Sequence, residues 1–331
     1  MKKIALIAMI GFIAVAMVGY FANQAMAGVG GVCSNCHTMH NSQGGVPVDA
    51  DGPNEVLLNN DCIGCHTSAA SDPLDDVNNT PFVMLSGASD DNCLAGGFFT
   101  TANPLDDNGN NTHDIGATAD PAGFNSAETP WYTGNTGDGL GCAGTNGCHG
   151  NQTDLNDMAA IAGGHHNTSL AYRMLYIGTA GVLGTPASDY EEALIGTGGV
   201  VTDPHNVYSA GVLDPSISEL CAKCHGDFHN ESGTTEDCGA ASPWIRHPTD
   251  VDIPGTWAIG DETNDLTRSD YKNNPVGFVG GTETGERRAT CLSCHRAHGT
   301  ANNDLLRWDY GTQVAAGGNA YGCLGCHDAQ R

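Results

Sequence analysis

The stretch Cys291-Leu292-Ser293-Cys294-His295 holds two thiols and an imidazole within five residues, and the chain repeats this spacing. The pattern Cys-x-x-Cys-His occurs five times: Cys33, Cys36 and His37; Cys62, Cys65 and His66; Cys221, Cys224 and His225; Cys291, Cys294 and His295; Cys323, Cys326 and His327. Two thiols about one helical turn apart can form thioether bonds with the two vinyl groups on one porphyrin edge. The next residue, a histidine, then lies under the iron. Each copy therefore predicts a covalently attached haem c with that histidine as an axial ligand.

A sixth site has a longer spacing between its two cysteines. Cys142 and Cys148 are separated by five residues, and His149 follows the second cysteine. Gly144 and Gly147 lie inside the gap, and glycine accepts backbone angles that other residues avoid. The loop can therefore bulge while both thiols reach one porphyrin edge, which predicts a sixth haem. The alternative is a small disulfide between Cys142 and Cys148 that leaves His149 an ordinary polar residue.

Zinc sites and thiol redox motifs also use paired cysteines, but in other patterns. A zinc site needs two cysteine pairs or two further histidines at set spacing, not a histidine after every second cysteine. A thioredoxin-like motif occurs once per domain, between a strand and a helix. The repeated pattern argues against both classes. Cys93 and Cys238 lie outside the motifs, and whether they form a disulfide is left open.

The first 27 residues have the features of an export signal. Lys2 and Lys3 precede an apolar run from Ile4 to Ala22, and Ala25-Met26-Ala27 is a cleavage site of the A-x-A type. An uncleaved membrane anchor is the alternative, because the run is long enough to span a bilayer. We expect a signal peptide at 1–27 and export to the cell exterior or outer surface, with the periplasm as the alternative.

The composition predicts a loop-rich chain built around its cofactors. The chain has 46 glycines and 14 prolines, and aromatic residues make up only 6% of it, so side chains alone form a thin core. We expect one hexahaem domain at 28–331 that is mostly irregular, with a few short α-helices at the attachment motifs, a haem stack as the core and little or no β-sheet. Apolar spacing outside the motifs indicates two helices, at 154–162 and 168–177.

The net charge is strongly negative. The chain has 38 acidic and 12 basic residues, for a formal charge of −26. Such a charge disfavours nucleic acid and anionic membrane surfaces, and it favours solubility or basic partners. We therefore expect no nucleic-acid partner, and no membrane span once the signal peptide is removed.

The histidine count matches the ligand requirement of six haems. Six of the 14 histidines lie in attachment motifs, which leaves eight for the opposite faces of the irons: His40, His113, His165, His166, His205, His229, His247 and His298. Methionine can also serve as an axial ligand, but the mature chain has few methionines and these are better explained by packing. The count predicts bis-histidine coordination throughout. Of the adjacent His165 and His166 we expect one to be a ligand, and the sequence does not say which.

Three of these eight histidines follow a motif histidine by three or four residues: His40, His229 and His298. On a helix such positions share a face, so the second imidazole cannot pass around its neighbour's porphyrin to reach the same iron. If it binds iron, it must bind a different haem. Each such pair would tie two haems into near contact, a geometry that carries electrons from haem to haem.

Several segments resemble the extracellular multihaem cytochromes of metal-reducing bacteria, including hexahaem members that form filaments. The segments are 30–42, 221–229, 246–248, 291–298, 306–310 and 323–327. The resemblance implies a continuous stack of bis-histidine haems. It also implies that His40 binds a haem of the next subunit, because the histidine at that position does so in the filament.

The motifs and the resemblance together predict an electron-transfer protein that is not an enzyme. Its expected partners are other copies of itself, redox-partner cytochromes and an external acceptor such as a metal oxide. One alternative is a soluble monomeric periplasmic shuttle. Another is a multihaem reductase of a small oxyanion, which needs an open iron position, often with a lysine as proximal ligand. The chain contains no Cys-x-x-Cys-Lys.

Overall fold

The computed structural model of the 331-residue chain describes most of the attachment motifs and the segments that pack around them. The described residues are 31–50, 52–68, 74–75, 80–85, 96–100, 112–113, 115, 140–166, 174–175, 191–195, 205–210, 216–225, 228–229, 247–253, 275–279, 286–313 and 322–323. The expected signal peptide, Cys93, Cys238, Cys326 and His327 lie outside these ranges. Within them, no helix has the length and apolar character needed to cross a bilayer.

The described helices are short, and most of them coincide with attachment motifs. Four are α-helical: α1 (Cys62–Cys65), α2 (Asp157–Ala160), α3 (Ile217–Ala222) and α4 (Cys291–Cys294). The 3-10 turns are Cys33–Asn35, Glu55–Leu57, Gly144–Asn146, Gly164–His166, Asn303–Leu305 and Tyr310–Thr312. Helices of one or two turns are not stable in isolation, so tertiary contacts must hold them. The expectation of a mostly irregular chain with a few short helices is confirmed.

Polar residues before the motifs cap three of these helices. The Asp61 carboxylate accepts the N–H of Gly64 at 2.6 Å and begins α1. Ser216 accepts the N–H groups of Ser218 and Glu219 and begins α3. Thr290 begins α4 in a reciprocal capping box with Ser293. Each cap satisfies backbone donors that a helix start leaves unpaired.

Short strands pair across long sequence separations. They are β1 (Ser42–Gln43), β2 (Val46–Pro47), β3 (Thr67–Ser68), β4 (Leu74–Asp75), β5 (Thr80–Pro81), β6 (Met84–Leu85), β7 (Phe99–Thr100), β8 (Glu191–Ile195), β9 (His205–Ser209), β10 (Val251–Asp252), β11 (Gly277–Phe278) and β12 (Arg287–Ala289). The largest sheet has five strands in the order β10-β12-β11-β9-β8, and β3-β6-β7 form a parallel sheet of three. The sheets are small, in keeping with the expectation of little β-sheet, although a sheet of five strands was not expected. Most of the described strands have two or three residues, which are too few to show alternation in the sequence.

In the described part of the chain, two apolar clusters of unequal size form the core. The larger contains eight buried residues under α3, α4 and the five-stranded sheet: Leu175, Tyr208, Ile217, Leu220, Ile253, Val276, Ala289 and Leu292. The smaller contains Ala143, Ala160 and Ile161, with Met158 and Met174 packed against it. The predicted helix at 154–162 is present as α2. In the predicted helix at 168–177, the two described residues are not helical, and Met174 has a φ of 58°.

Candidate haem sites

One backbone hydrogen bond recurs in the regular attachment motifs. We number the sites in chain order, from site 1 at Cys33 to site 6 at Cys323. In sites 1, 2, 4 and 5 the N–H of the motif histidine donates to the carbonyl of the first cysteine at 2.9–3.0 Å. This bond closes one turn, which holds both thiols and the imidazole in a fixed relation. At site 6 the structure describes only the first cysteine.

Cys36, the second cysteine of site 1, departs from the expected helical motif. The 3-10 turn Cys33–Asn35 ends before Cys36, which has a φ of −118°. The expectation of a short α-helix at the motif therefore needs correction for Cys36. The physical reason is the start of the turn, where Val32 offers no side-chain cap, in contrast to the polar residues that begin α1 and α4.

Tertiary contacts hold Cys36 in place instead of a helix. Its N–H donates to the carbonyl of Cys33 at 3.2 Å, and its own carbonyl accepts the N–H of Asn59 at 2.9 Å. The Asn59 side chain also donates to the carbonyl of Asn35 at 2.7 Å. The segment after the second 3-10 turn thus fixes the backbone of site 1, so the half-buried Cys36 thiol remains one turn from Cys33.

The longer motif of site 3 makes the same bond between histidine and first cysteine. The N–H of His149 donates to the carbonyl of Cys142 at 3.0 Å, although six residues lie between them. The extra residues form a 3-10 turn, and Gly144 adopts a φ of 72° within it. A side chain at Gly147 would place its Cβ 2.4 Å from the backbone nitrogen of Ala143. Both glycines are therefore needed for the loop to return to the regular geometry.

The disulfide alternative for site 3 does not match the structure. Cys142 and Cys148 are both free thiols. The described cysteines of the other motifs form no disulfide either, as thioether formation requires. Site 3 thus keeps the thiols and the imidazole of a regular motif in spite of its longer spacing.

Four motif histidines face a second histidine ring across a nearly constant gap. The ring centroids are separated by 5.9 Å in His37–His166, 6.3 Å in His66–His165, 6.3 Å in His149–His298 and 6.1 Å in His225–His113. A metal–imidazole bond is about 2 Å long and the nitrogen lies about 1.2 Å from its ring centre, so two imidazoles on one metal have centroids about 6.3 Å apart. The four pairs therefore have the spacing of two axial ligands on one haem iron.

These pairs bear on a question that the sequence left open. His165 and His166 both face a motif histidine, His165 at site 2 and His166 at site 1. Both rings therefore have the spacing of an axial ligand, whereas the sequence led us to expect one ligand of the two. They lie in one 3-10 turn, where successive side chains point about 120° apart, since the turn has three residues. Two adjacent residues can thus reach two different sites.

His298 is placed as its sequence spacing predicts. It follows the site 5 histidine by three residues, yet its ring faces His149 of site 3. Burial and, to a smaller extent, the charges of His149, His113 and His66 together lower the pKa of His298 to about 3. A neutral imidazole is the form that binds a metal. These neighbours also show that sites 2, 3 and 4 lie close together.

Most of the hydrogen bonds made by histidine rings in the described residues fix a single tautomer. The Nδ1 atoms of His37, His66, His113, His247 and His295 lie within hydrogen-bond distance of backbone carbonyls, those of Val56, Pro81, Ala297, Pro248 and Asp304. A carbonyl can only accept, so each Nδ1 carries the proton and each Nε2 is left as an acceptor. This is the usual arrangement of metal-binding histidines. His113 faces the site 4 histidine, and His247 is exposed.

His229 has the opposite arrangement. Its Nε2 atom donates to Asp250 Oδ2 at 2.7 Å, so the atom that would bind iron is engaged by a carboxylate. Of the remaining candidates, His40 is exposed, and the side chain of His205 lies outside the described residues, although its backbone belongs to β9.

Among the described residues, thiols of different sites meet at two junctions. At the site 2–site 3 junction the thiols of Cys62 and Cys142 interact, and their hydrogen bond lowers the pKa of Cys62 and raises that of Cys142. The Asp157 carboxylate lies within 4.8 Å of both sulfur atoms. At the site 4–site 5 junction Cys221 and Cys291 interact in the same way. The attachment edges of neighbouring sites are therefore adjacent, and neither Asp157 nor this adjacency was foreseen from the sequence.

The second thiols of sites 1 and 2 also lie near each other. Burial and, to a smaller extent, the charges of Cys36, Asp61 and Cys62 together raise the pKa of Cys65 to about 11. Cys36 thus acts on a thiol of the next motif, although Cys36 itself stands outside the helical part of its own motif. Sites 1 and 2 are therefore adjacent on their thiol side as well as through His165 and His166.

A known protein family matches the C-terminal part of the chain. Residues 285–331, which contain sites 5 and 6, match a family described as a doubled CXXCH motif. The matched motif is that of a multihaem c-type cytochrome. No curated protein matches the chain.

Two solved structures are similar to the chain at low identity. The outer membrane cytochrome S filament from Geobacter sulfurreducens is 18% identical with a TM-score of 0.44, and the OmcS nanowire from the same organism is 19% identical with a TM-score of 0.43. Each match covers 88% of this chain and 86% of the other. Both are filament cytochromes of the kind that the sequence resembles.

Proposed function

We propose that the chain carries six covalently attached haems and conducts electrons along them. The observation that carries this proposal is the set of four facing histidine pairs, each with the spacing of two axial ligands on one iron. The motif cysteines hold the porphyrins, and the motif histidines supply the first ligands. His166, His165, His298 and His113 supply the second ligands of sites 1 to 4.

The protein's part in this function is to set ligands, spacing and polarity. Bound haem supplies a one-electron iron couple, and the surrounding chain tunes its potential through ligation and burial. The adjacent His165 and His166 tie site 1 to site 2, and the junctions tie site 2 to site 3 and site 4 to site 5. Such continuity supports transfer along a row of haems without acid–base catalysis.

Site 5 takes its second ligand from another copy of the chain. Its motif histidine, His295, is exposed, and no histidine ring of the described residues faces it. His40 is exposed too, and it faces no histidine ring in the described part of the chain. In the filament cytochromes that the sequence resembles, the histidine at the position of His40 crosses to the next subunit. Repeated head to tail, this contact would build an open polymer.

Site 6 needs one further histidine from the three that remain. His229 is held by Asp250 through Nε2, which leaves His205 and His247 as the better candidates. His247 has its Nδ1 bonded to the carbonyl of Pro248, as metal-binding histidines do. A spectrum of His247→Ala with one high-spin haem assigns it to site 6, whereas an unchanged spectrum assigns His205.

The proposed location and partners of the protein follow from its expected export. A signal peptide at 1–27 would deliver a single 28–331 domain out of the cytoplasm to the outer surface, where redox-partner cytochromes and an external acceptor such as a metal oxide are the partners. The periplasm is the alternative location, with a monomeric shuttle as the alternative form. A reductase needs an open iron position, and two histidines at every iron leave none.

The test combines haem counting, spectroscopy and imaging of the native protein. We expect a mass that corresponds to six haems, low-spin iron throughout, and filaments in cryo-electron microscopy with His40 on the site 5 iron of the next copy. His40→Ala should abolish the filaments and turn one iron high-spin. The matched variant His166→Ala should open site 1 but leave the filaments. Discrete particles with His40 in solvent would refute the polymer, and a native high-spin haem would favour the reductase.

A further inference from the structure

The first cysteine of site 3 lacks the local support that two regular motifs have. In site 2 the residue before the first cysteine is Asp61, whose side chain caps the motif helix, and in site 5 it is Thr290, which forms a capping box with Ser293. In site 3 this position is Gly141, which has no side chain to accept a backbone N–H. The donors at the start of this motif must find their acceptor elsewhere.

Asp157 supplies that acceptor from 15 residues downstream of Cys142. Its Oδ2 atom lies 3.4 Å from the backbone nitrogen of Ala143, and the carboxylate also accepts from the N–H of Cys142. A Cβ at Gly141 would lie 3.3 Å from both carboxylate oxygens. The carboxylate thus occupies the place that a local cap takes in sites 2 and 5.

Asp157 is itself held firmly in position. It is the first residue of α2, and the Asn156 side chain caps this helix by accepting the N–H of Ala159 at 2.8 Å. The N–H of Asn151 donates to the carbonyl of Ala160 at 2.8 Å, which ties the end of α2 to the chain just after His149. The support and the motif are therefore joined at both ends.

A second contact holds the middle of the inserted loop. The Thr145 N–H and hydroxyl both donate to the carbonyl of Asp154, at 2.8 Å and 2.9 Å. A Cβ at Gly144 would lie 2.5 Å from the same oxygen. The loop is thus gripped at its start by Asp157 and at its centre by the backbone of Asp154. After Thr145 the loop turns back, so that the N–H of His149 reaches the carbonyl of Cys142.

We propose that Asp157 is the positioning residue of site 3, whose carboxylate holds the inserted loop so that the Cys142 and Cys148 thiols stand as they do in a regular motif. This inference rests on the proposed haem at site 3. In each attachment step a thiol S–H adds across a vinyl double bond. A sulfur–carbon bond forms and the hydrogen goes to the neighbouring carbon, so no oxidant or reductant is consumed. Asp157 acts before this step, by presenting both sulfurs to one porphyrin edge.

The test counts haems on the purified full-length cytochrome by intact mass and maps free thiols by alkylation. Wild type should carry six haems, and Asp157→Ala should yield mainly a five-haem product with free Cys142 and Cys148. Asp157→Asn keeps an oxygen that can accept the N–H groups, so it should retain six. Asp154→Asn is the matched control, because its backbone carbonyl grips the loop; it should also retain six.

A loop deletion separates positioning from general stability. Removing 144–146 leaves Cys142-Ala143-Gly147-Cys148-His149, a regular motif that needs no external grip. In the Asp157→Ala background this deletion should restore the sixth haem. Six haems on Asp157→Ala, five on Asp157→Asn, or failure of the deletion to rescue would each overturn the inference. A wild-type mass with five haems and free site 3 thiols would instead refute the proposed haem at site 3.

Discussion

The two thiol junctions reach the same geometry by different means. At the site 4–site 5 junction, Cys221 and Cys291 meet on two helices that pack over a core of eight buried residues. At the site 2–site 3 junction, Cys62 and Cys142 meet on one helix and one loop over a core of three. A carboxylate stands at each junction, Asp250 at the first and Asp157 at the second. Apolar packing holds the site 4–site 5 junction, whereas hydrogen bonds to a loop hold the site 2–site 3 junction.

Asp250 is the polar centre of the site 4–site 5 junction. It accepts hydrogen bonds from the hydroxyls of Ser216 at 2.6 Å and Ser218 at 3.1 Å, and it pairs with His229 at 2.7 Å. The Ser218 oxygen accepts the N–H of Cys291 at 3.2 Å, so the network joins α3 to α4. Asp250 also has a φ of 56°, a left-handed conformation that Asp and Asn tolerate better than most residues.

The largest effect on the free energy of unfolding should come from Asp250→Ala, at the site 4–site 5 junction. The change removes the hydrogen-bond acceptor of His229 and of two serine hydroxyls. It also places alanine, whose side chain cannot form a local hydrogen bond, in a left-handed conformation. Breaking a buried pair by removing one partner costs about 3–5 kcal/mol, and we expect a fall of that order in the free energy of unfolding. Denaturant titration of the holoprotein measures it. Asp250→Asn keeps an acceptor for the serines and should lose less; equal losses would show that the charge pair alone matters.

The next largest effect should distinguish the two cores. Ile217 in the larger core is 1% exposed and Ile161 in the smaller one is 9% exposed. Large-to-small changes in cores cost about 2–5 kcal/mol, and less where the surroundings can collapse. We expect Ile217→Ala to cost about 3–4 kcal/mol and Ile161→Ala about 2 kcal/mol, measured by the same titration. A greater loss at Ile161 would contradict the view that packing dominates only at the site 4–site 5 junction.

A smaller effect should come from the site 3 loop itself. Gly144 and Gly163 both have a positive φ, 72° and 77°, but only Gly144 has an atom, the Asp154 carbonyl oxygen at 2.5 Å, where a Cβ would stand. Left-handed backbone costs a residue with a Cβ about 1–2 kcal/mol. Gly163→Ala should lose about 1 kcal/mol and Gly144→Ala about 2 kcal/mol. The difference between the two losses measures how tightly the Asp154 carbonyl packs against the loop. Equal losses would show that the loop shifts without cost to accommodate the Cβ.

The contrast between the junctions also explains what the sequence could predict. Attachment chemistry is local, so the motifs, most of their one-turn helices and the glycines of site 3 follow from spacing alone. The facing of His298 to another site agrees with the prediction from its spacing after His295, although residues 295–298 lie beyond the end of α4 and are not helical. These predictions use no distance longer than a helical turn.

The rest depends on contacts between distant segments. Asp157 and Asp250 lie in ordinary polar stretches, and only the fold brings them to thiols of two different motifs. Cys36 is held by Asn59 rather than by a helix, which its motif alone does not reveal. The facing of His165 to site 2 and His166 to site 1 requires the 3-10 turn at 164–166.

The five-stranded sheet is the clearest case of such long-range assembly. Its strands lie as much as 98 residues apart, since β8 begins at Glu191 and β12 ends at Ala289. Each strand is too short to show an alternating pattern of its own. No periodicity within one segment therefore encodes these pairings.

The smallest effect should be a pH dependence confined to the site 4–site 5 junction. Burial alone lowers the pKa of His229, but the hydrogen bond and the charge of Asp250 outweigh it and raise this pKa above its ordinary value of 6.5. A raised pKa contributes stability that is fully present below the unfolded value and is lost as the pH rises through the folded value. The pair should therefore stabilise most below pH 6.5 and weaken above it.

The variant His229→Gln tests this sign. The difference in unfolding free energy between wild type and His229→Gln should shrink as the pH rises above 6.5. The carboxyl of Asp157 gives the internal comparison: burial raises its pKa from 3.8, against the effect of the N–H groups of Ala143 and Cys142, so its contribution changes only in a more acidic window. A difference that stays constant across neutral pH would mean that His229 does not titrate. Its Nε2 would then be bound to iron in the loaded protein, as its spacing after His225 allows, and the Asp250 pair would not exist there.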